Sequence, residues 1–144
     1  MEVPQVPESN EIRFRARMRT RWSDEDNQDV LNNAVYLTLL EEARHSYFSQ
    51  LGLIEDNRFP FLLAQCNVRF VAPGRGGTEV EVELATVHVG TSSFLQAYRV
   101  RAAEGGPVWA EAEALLVCYD PASGHSAPMT PRFRAALETY EGLG

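Results

Sequence analysis

A chain of 144 residues with 44% hydrophobic content suits one domain built around a single core. Its formal net charge of −7 argues against non-specific binding to nucleic acid or to an anionic membrane. No apolar run approaches the roughly 18–20 residues that a membrane-spanning helix needs.

All thirteen basic residues are arginine. The two cysteines, Cys66 and Cys118, sit inside apolar runs and read as buried free thiols. His45, His88 and His125 are too scattered for a metal motif, so no metal is expected. Residues 1–10 are polar, carry two prolines and lack a signal-peptide pattern. They read as a disordered lead-in to a single domain over 11–144, with a cytoplasmic location expected.

From Glu11 to Trp22 the pattern alternates strictly. Arg13, Arg15, Arg17, Arg19 and Arg21 fall on one side; Phe14, Ala16, Met18, Thr20 and Trp22 fall on the other, as in a strand with one buried face. An acidic stretch, Ser23 to Leu31, then leads to two asparagines. Asn32 or Asn33 can cap a helix over Asn33 to Leu51, whose Tyr36, Leu39, Leu40, Ala43, Tyr47 and Phe48 recur at helical spacing before the stop at Gly52. Glu41 is spaced to pair with Arg44 at i,i+3, the alternative being that Glu41 or Glu42 faces a cleft.

Four further strands are expected over Phe61 to Val71, Thr78 to Val89, Ser92 to Ala103 and Val108 to Tyr119, divided by glycine-rich turns. Thr130-Pro131 opens a short helix to Tyr140. The sum is an α+β domain in which the long helix covers one face of an antiparallel sheet. Glu79, Glu81 and Glu83, Arg99 and Arg101, and Glu111 and Glu113 all point away from the core. A strand order 1-3-4-5 would set arginine beside glutamate across the outer face. That face reads either as a solvated, charge-paired surface or as a polyanion site.

The acidic loop can hold a carboxylate next to the free N–H groups and dipole of a helix start, an arrangement suited to hydrolysis through an oxyanion. Asp24-Glu25-Asp26-Asn27-Gln28-Asp29-Val30-Leu31-Asn32-Asn33-Ala34-Val35-Tyr36, followed by Glu41-Glu42-Ala43-Arg44, resembles the hotdog-fold acyl-CoA thioesterases of the 4-hydroxybenzoyl-CoA thioesterase type. Gly90-Thr91-Ser92-Ser93-Phe94, Ala110-Glu111-Ala112 and Val117-Cys118-Tyr119-Asp120 extend the likeness over most of the domain.

The resemblance implies a five-stranded antiparallel sheet wrapped around one long central helix, in the order 1-3-4-5-2. It implies Asp26 as nucleophile or general base and the Asn33 amide as the group polarising the thioester carbonyl. Asn32, Tyr36, Ser92 and Ser93 are the expected substrate-side residues. It implies an acyl-CoA or acyl-carrier-protein substrate, with no cofactor beyond the coenzyme A of that substrate, and a homodimer or homotetramer whose site lies between subunits. The family usually has Gly-His where this chain has Asp29-Val30. Loss of the histidine supports one other reading, a non-catalytic acyl-CoA-binding hotdog module; a hotdog enoyl hydratase or dehydratase is the third, and it commonly needs a histidine that this loop lacks.

Overall fold

The structure is a computed structural model that describes residues 1–143. Strand β1 (Phe14–Arg19) leads through a 3-10 turn at Trp22–Asp24 to the long helix α1 (Asn33–Gln50). Strands β2 (Phe61–Phe70), β3 (Glu79–Val89), β4 (Ser93–Ala102) and β5 (Val108–Cys118) follow, then helix α2 (Pro131–Glu141). They form one antiparallel sheet in the order β1-β3-β4-β5-β2, the order expected of a hotdog fold.

Most elements end a residue or two inside their expected limits. The alternation of β1 stops early: Trp22 is 83% exposed, because the chain turns at Arg21, whose N–H is taken by the Asp24 carboxylate at 2.7 Å.

Period-two patterning places Phe14, Ala16, Val80, Val82, Leu84, Tyr98, Ala112 and Ala114 on the inner face, where α1 lies. The helix buries Tyr36, Leu39, Leu40, Ala43, Tyr47 and Phe48 against them. Phe48 is central: its ring stands 4.9 Å from Phe61 and stacks at 5.6 Å on Phe133 of α2. Near the other end of the helix, Tyr36 meets Phe70 edge-on at 5.2 Å. The helix therefore runs antiparallel to β2, from its Phe70 end to its Phe61 end. Thr130 caps α2 through the Phe133 N–H at 3.2 Å.

The outer face carries the anticipated charge rows in register. Arg15, Glu83, Arg99, Glu111 and Arg69 form one row across all five strands. Arg99 donates to Glu83 at 3.0 Å and to Glu111 at 2.8 Å.

The row is paired, yet its centre is not solvated, since Glu83 is 1% and Arg99 7% exposed. The segment expected to be a disordered lead-in lies across it. The Glu2 carbonyl accepts from Asn67 of β2, the Pro7 carbonyl accepts from Arg99 of β4, and the Ser9 hydroxyl donates to Glu83 of β3. Burial raises the pKa of Glu83, but the donors Arg99, Ser9 and Arg15 outweigh it and hold the carboxyl below its ordinary value.

Candidate active site

The acidic loop between β1 and α1 closes on itself. The Asp26 N–H donates to the Val30 carbonyl at 2.8 Å, the Asp29 N–H to the Asp26 carbonyl at 3.2 Å, and the Asn32 N–H to the Asp24 carbonyl at 2.9 Å. Asp29 adopts φ +60, the left-handed conformation that a glycine takes most readily and aspartate tolerates. Asp24 is buried beneath the loop. Burial pushes its carboxyl up, and the Arg21 amide and guanidinium more than offset this, leaving it below its usual value. Asp24 thus orders the loop.

The loop is stapled to the turn between β2 and β3. Leu31 N–H donates to the Gly74 carbonyl at 3.0 Å, Gly76 N–H to the Glu25 carboxylate at 2.9 Å, and Arg75 Nη1 to the Asp29 carbonyl at 2.8 Å. At Gly76 a Cβ would lie 2.5 Å from the Arg21 carbonyl oxygen, so the two loops can meet this closely only with glycine there. Sequence reasoning read Pro73 to Gly77 as a hairpin turn alone and missed its part in holding the site. The signal available was a surplus of glycine in that turn.

The result is a half-buried Asp26 whose Oδ1 accepts the Gln28 N–H at 2.7 Å and whose Oδ2 has no partner among the described residues. Asn32 is the helix cap: its side chain accepts the Ala34 N–H at 2.9 Å. The next residue, Asn33, leaves its own N–H without an acceptor among the described residues. That N–H stands at the positive end of the 18-residue helix α1, where it can bind developing negative charge.

Asn33 and Tyr36 line a pocket of about 250 Å³ with Val30, Leu31 and the segment Phe70 to Gly74; Asp26 is not part of that lining. The Tyr36 hydroxyl meets the Gly74 backbone, and burial pushes its pKa up.

Asn32, Asn33 and Tyr36 therefore share the start of α1, and Asp26 lies in the loop that leads to it, outside the pocket lining. Ser92 and Ser93 are remote from them within one chain. The β1 end that feeds the loop pairs with Glu79, the β3 end facing Ala102, whereas Ser93 opens β4 at its other end. Ten residues of strand, on the order of 30 Å, separate them. A second pocket, about 340 Å³, lies at that far end, with Leu53, Phe59, Cys118, Met129 and Phe133 inside and Arg58 and Arg132 at its rim. Among the described residues no group of three or more His, Cys, Asp or Glu could hold a metal ion.

Comparison with known proteins agrees with this architecture. The sequence profile of the thioesterase-like superfamily matches residues 20–137, and the chain belongs to that family. A thioesterase from Thermus thermophilus, solved in complex with coenzyme A and Zn, superposes with a TM-score of 0.79 at 32% identity, covering 90% of this chain and 95% of that one. PA2801, described as a putative thioesterase from Pseudomonas aeruginosa, superposes at 0.76 with 29% identity over 85% of this chain and 95% of its own. The 1,4-dihydroxy-2-naphthoyl-CoA thioesterase Slr0204 from Synechocystis shares the fold at a TM-score of 0.77 and 23% identity, over 86% and 94% of the two chains. No curated protein sequence matches significantly.

Proposed function

We propose that the chain hydrolyses acyl-CoA thioesters, with Asp26 supplying the basic or nucleophilic oxygen and the Asn33 amide binding the oxyanion. The observation that carries this reading is an unengaged carboxylate oxygen in a hydrogen-bonded loop that leads directly into a helix whose first N–H is also unengaged among the described residues. As general base, Asp26 takes a proton from water, the resulting hydroxide adds to the carbonyl carbon, and the intermediate collapses with release of the CoA thiolate. As nucleophile, its oxygen adds to the same carbon and expels the thiolate. The mixed anhydride so formed is then cleaved by water. In both routes negative charge grows on the carbonyl oxygen, and the Asn33 N–H and helix dipole favour it. The coenzyme A in the Thermus relative supports the choice of carrier.

The working unit in this reading is a homodimer. Strand β2 pairs only with β5, and its free edge exposes Leu62, Leu63 and Phe70. A free strand edge with exposed apolar side chains is a ready template for pairing with a second strand. Two-fold pairing of β2 strands, with both helices on one face, would run them antiparallel. The far-end pocket of one copy, and Ser92 and Ser93 at the same end of its sheet, would then approach the Asp26 loop of the other.

Thiol release from a panel of acyl-CoAs tests the activity. Turnover that is lost in Asp26→Ala and Asp26→Asn supports the assignment; wild-type turnover by a folded Asp26→Ala chain sinks it. A single turnover in 18O-water separates the routes, since anhydride hydrolysis at the Asp26 carbon leaves the label in the protein.

A further inference from the structure

Helix α1 buries an arginine that finds no counter-charge among the described residues. Arg44 is 4% exposed, and no carboxylate among the described residues lies within 4 Å of it. The i,i+3 pair with Glu41 suggested by the sequence does not form. Instead Arg44 turns inward, and its Nε donates to the Tyr98 hydroxyl at 2.8 Å.

That hydroxyl donates to Gln96 Oε1 at 2.6 Å, and Gln96 Nε2 donates to the Thr86 hydroxyl at 3.1 Å. The head group also lies over the Tyr98 ring, 5.5 Å from its centroid. One edge of the guanidinium is thus fixed by a buried chain of hydrogen bonds. Its two Nη groups donate to nothing among the described residues. Among the described residues no fully enclosed side-chain polar atom lacks a partner, so these two are not fully enclosed. A guanidinium withdrawn from water without an acceptor is costly, and geometry this specific calls for an anion there.

Arg44 lies near the middle of β2. The Arg44 charge acts on the Cys66 thiol of that strand, which burial pushes up and the guanidinium pulls down. With Tyr36 beside Phe70 and Phe48 beside Phe61, the part of α1 level with the middle of β2 is the stretch Glu41–Arg44. A two-fold axis that pairs two β2 strands over their full length passes between Gln65 and Cys66, and so beside this stretch. On antiparallel helices related by that axis, Arg44 of one copy comes level with Leu40 of the other, within about one residue of its Glu41. Glu41 is exposed, on the same flank of α1 as the exposed Leu37, and has no partner among the described residues. A pocket of about 440 Å³ is lined by Glu41, Glu42, His45, Asn57 and Phe59; Arg44 is not part of that lining.

We propose that Arg44 of each copy is completed by Glu41 of a second copy, giving two reciprocal ion pairs beside the two-fold axis of a β2-edge dimer. The proposal rests on the homodimer reading above and adds the contact that fixes its register. An isologous interface makes one residue pair into two, and a desolvated guanidinium–carboxylate pair discriminates sharply against slipped alignments.

Sedimentation velocity on the full chain measures the dimer dissociation constant for wild type, Glu41→Gln, Arg44→Met and the double variant. Glu41→Gln is expected to weaken the wild-type dimer by about tenfold or more, and to change nothing in the Arg44→Met background. Equal effects in both backgrounds, or no effect in either, overturn the pairing. Glu41→Arg sets two cations together at an exposed, fold-neutral position and is expected to yield monomers. It decides the matter if Arg44→Met does not fold, and a Glu41→Arg dimer as tight as wild type overturns the proposal.

Leu63→Glu is the control for the seam itself. Loss of the dimer there, with Glu41→Gln as tight as wild type, leaves the β2 edge standing and removes only the ion pair. A monomeric wild-type chain removes both. Tightening of the dimer by millimolar acetate or phosphate, with Glu41→Gln silent, shows Arg44 to be filled by a small anion instead and also overturns the pairing.

Discussion

Two carboxylates, Glu83 and Asp26, sit in opposite states of completion. Glu83 is 1% exposed and receives Ser9, Arg15, Arg99 and Arg101. Asp26 is half-buried and receives one donor, the Gln28 amide, from its own loop. The first has no capacity left for a substrate and carries the sheet's outer face. The second keeps one oxygen free, at the head of a helix whose first amide is free too. A carboxylate's burial alone would have pointed to Glu83; what separates the two is the count of donors already satisfied.

The comparison breaks most visibly in activity. Asp26→Ala is expected to lower kcat/KM by about 10²–10⁴-fold, the usual worth of a positioned acid–base group, while the melting temperature stays within a few degrees. Glu83→Gln should do the reverse. Removing the negative partner of a buried, multiply bonded cluster leaves Arg99 and Arg15 facing one another, at a cost of about 3 kcal/mol. Activity per folded molecule should remain. Chemical denaturation and a thiol-release assay on both variants check the division, and a Glu83→Gln chain that is stable but inactive would erase it.

The acid limb of stability sharpens the same contrast. Glu83 and Asp24 both titrate lower in the folded chain than their ordinary values of 4.5 and 3.8. A depressed folded pKa means the unfolded chain binds the proton more readily. The stabilisation is therefore complete above the ordinary value and is lost as pH falls through the lower folded one. Thermal melts between pH 7 and pH 3 should show wild type losing stability below about pH 4.5. Glu83→Gln starts lower and falls less over that range, because its share of the acid sensitivity is already gone.

Much of this was legible in the sequence, for physical reasons. Strict alternation in β1, β3 and β5 fixes which face is buried, opposite charges at matching positions favour the order β1-β3-β4-β5, and the place of β2 came from the family resemblance. The Asn32 cap and the Asp26 position followed from the loop motif. Less legible was whatever depends on contacts between segments distant in the chain. Residues 1–10 have the composition of a free tail, yet Ser9 and the Pro7 carbonyl complete Glu83 and Arg99. Arg44 has the spacing of a surface partner for Glu41, yet Tyr98 draws it inward. Local spacing cannot decide between a partner three residues away and one fifty-four residues away.

The smallest expected effect concerns the position where this loop departs from its family's usual glycine. At φ +60 a side chain costs roughly 1 kcal/mol, and less for aspartate, whose short polar group suits the left-handed region. Asp29→Gly relieves that cost but gives the unfolded chain more freedom, worth about 0.5–1 kcal/mol in the other direction. The two nearly cancel, so stability should move by no more than about 0.5 kcal/mol and turnover by less than about twofold. Asp29→Val is the informative contrast. A β-branched residue resists φ +60, so the turn must open, with loss of the Asp29 N–H bond to the Asp26 carbonyl and of the Arg75 bond to the Asp29 carbonyl. Since those bonds orient the strand of loop that carries Asp26, turnover should fall further than the melting temperature does. A valine variant with unchanged turnover would show that the loop's conformation does not govern the rate.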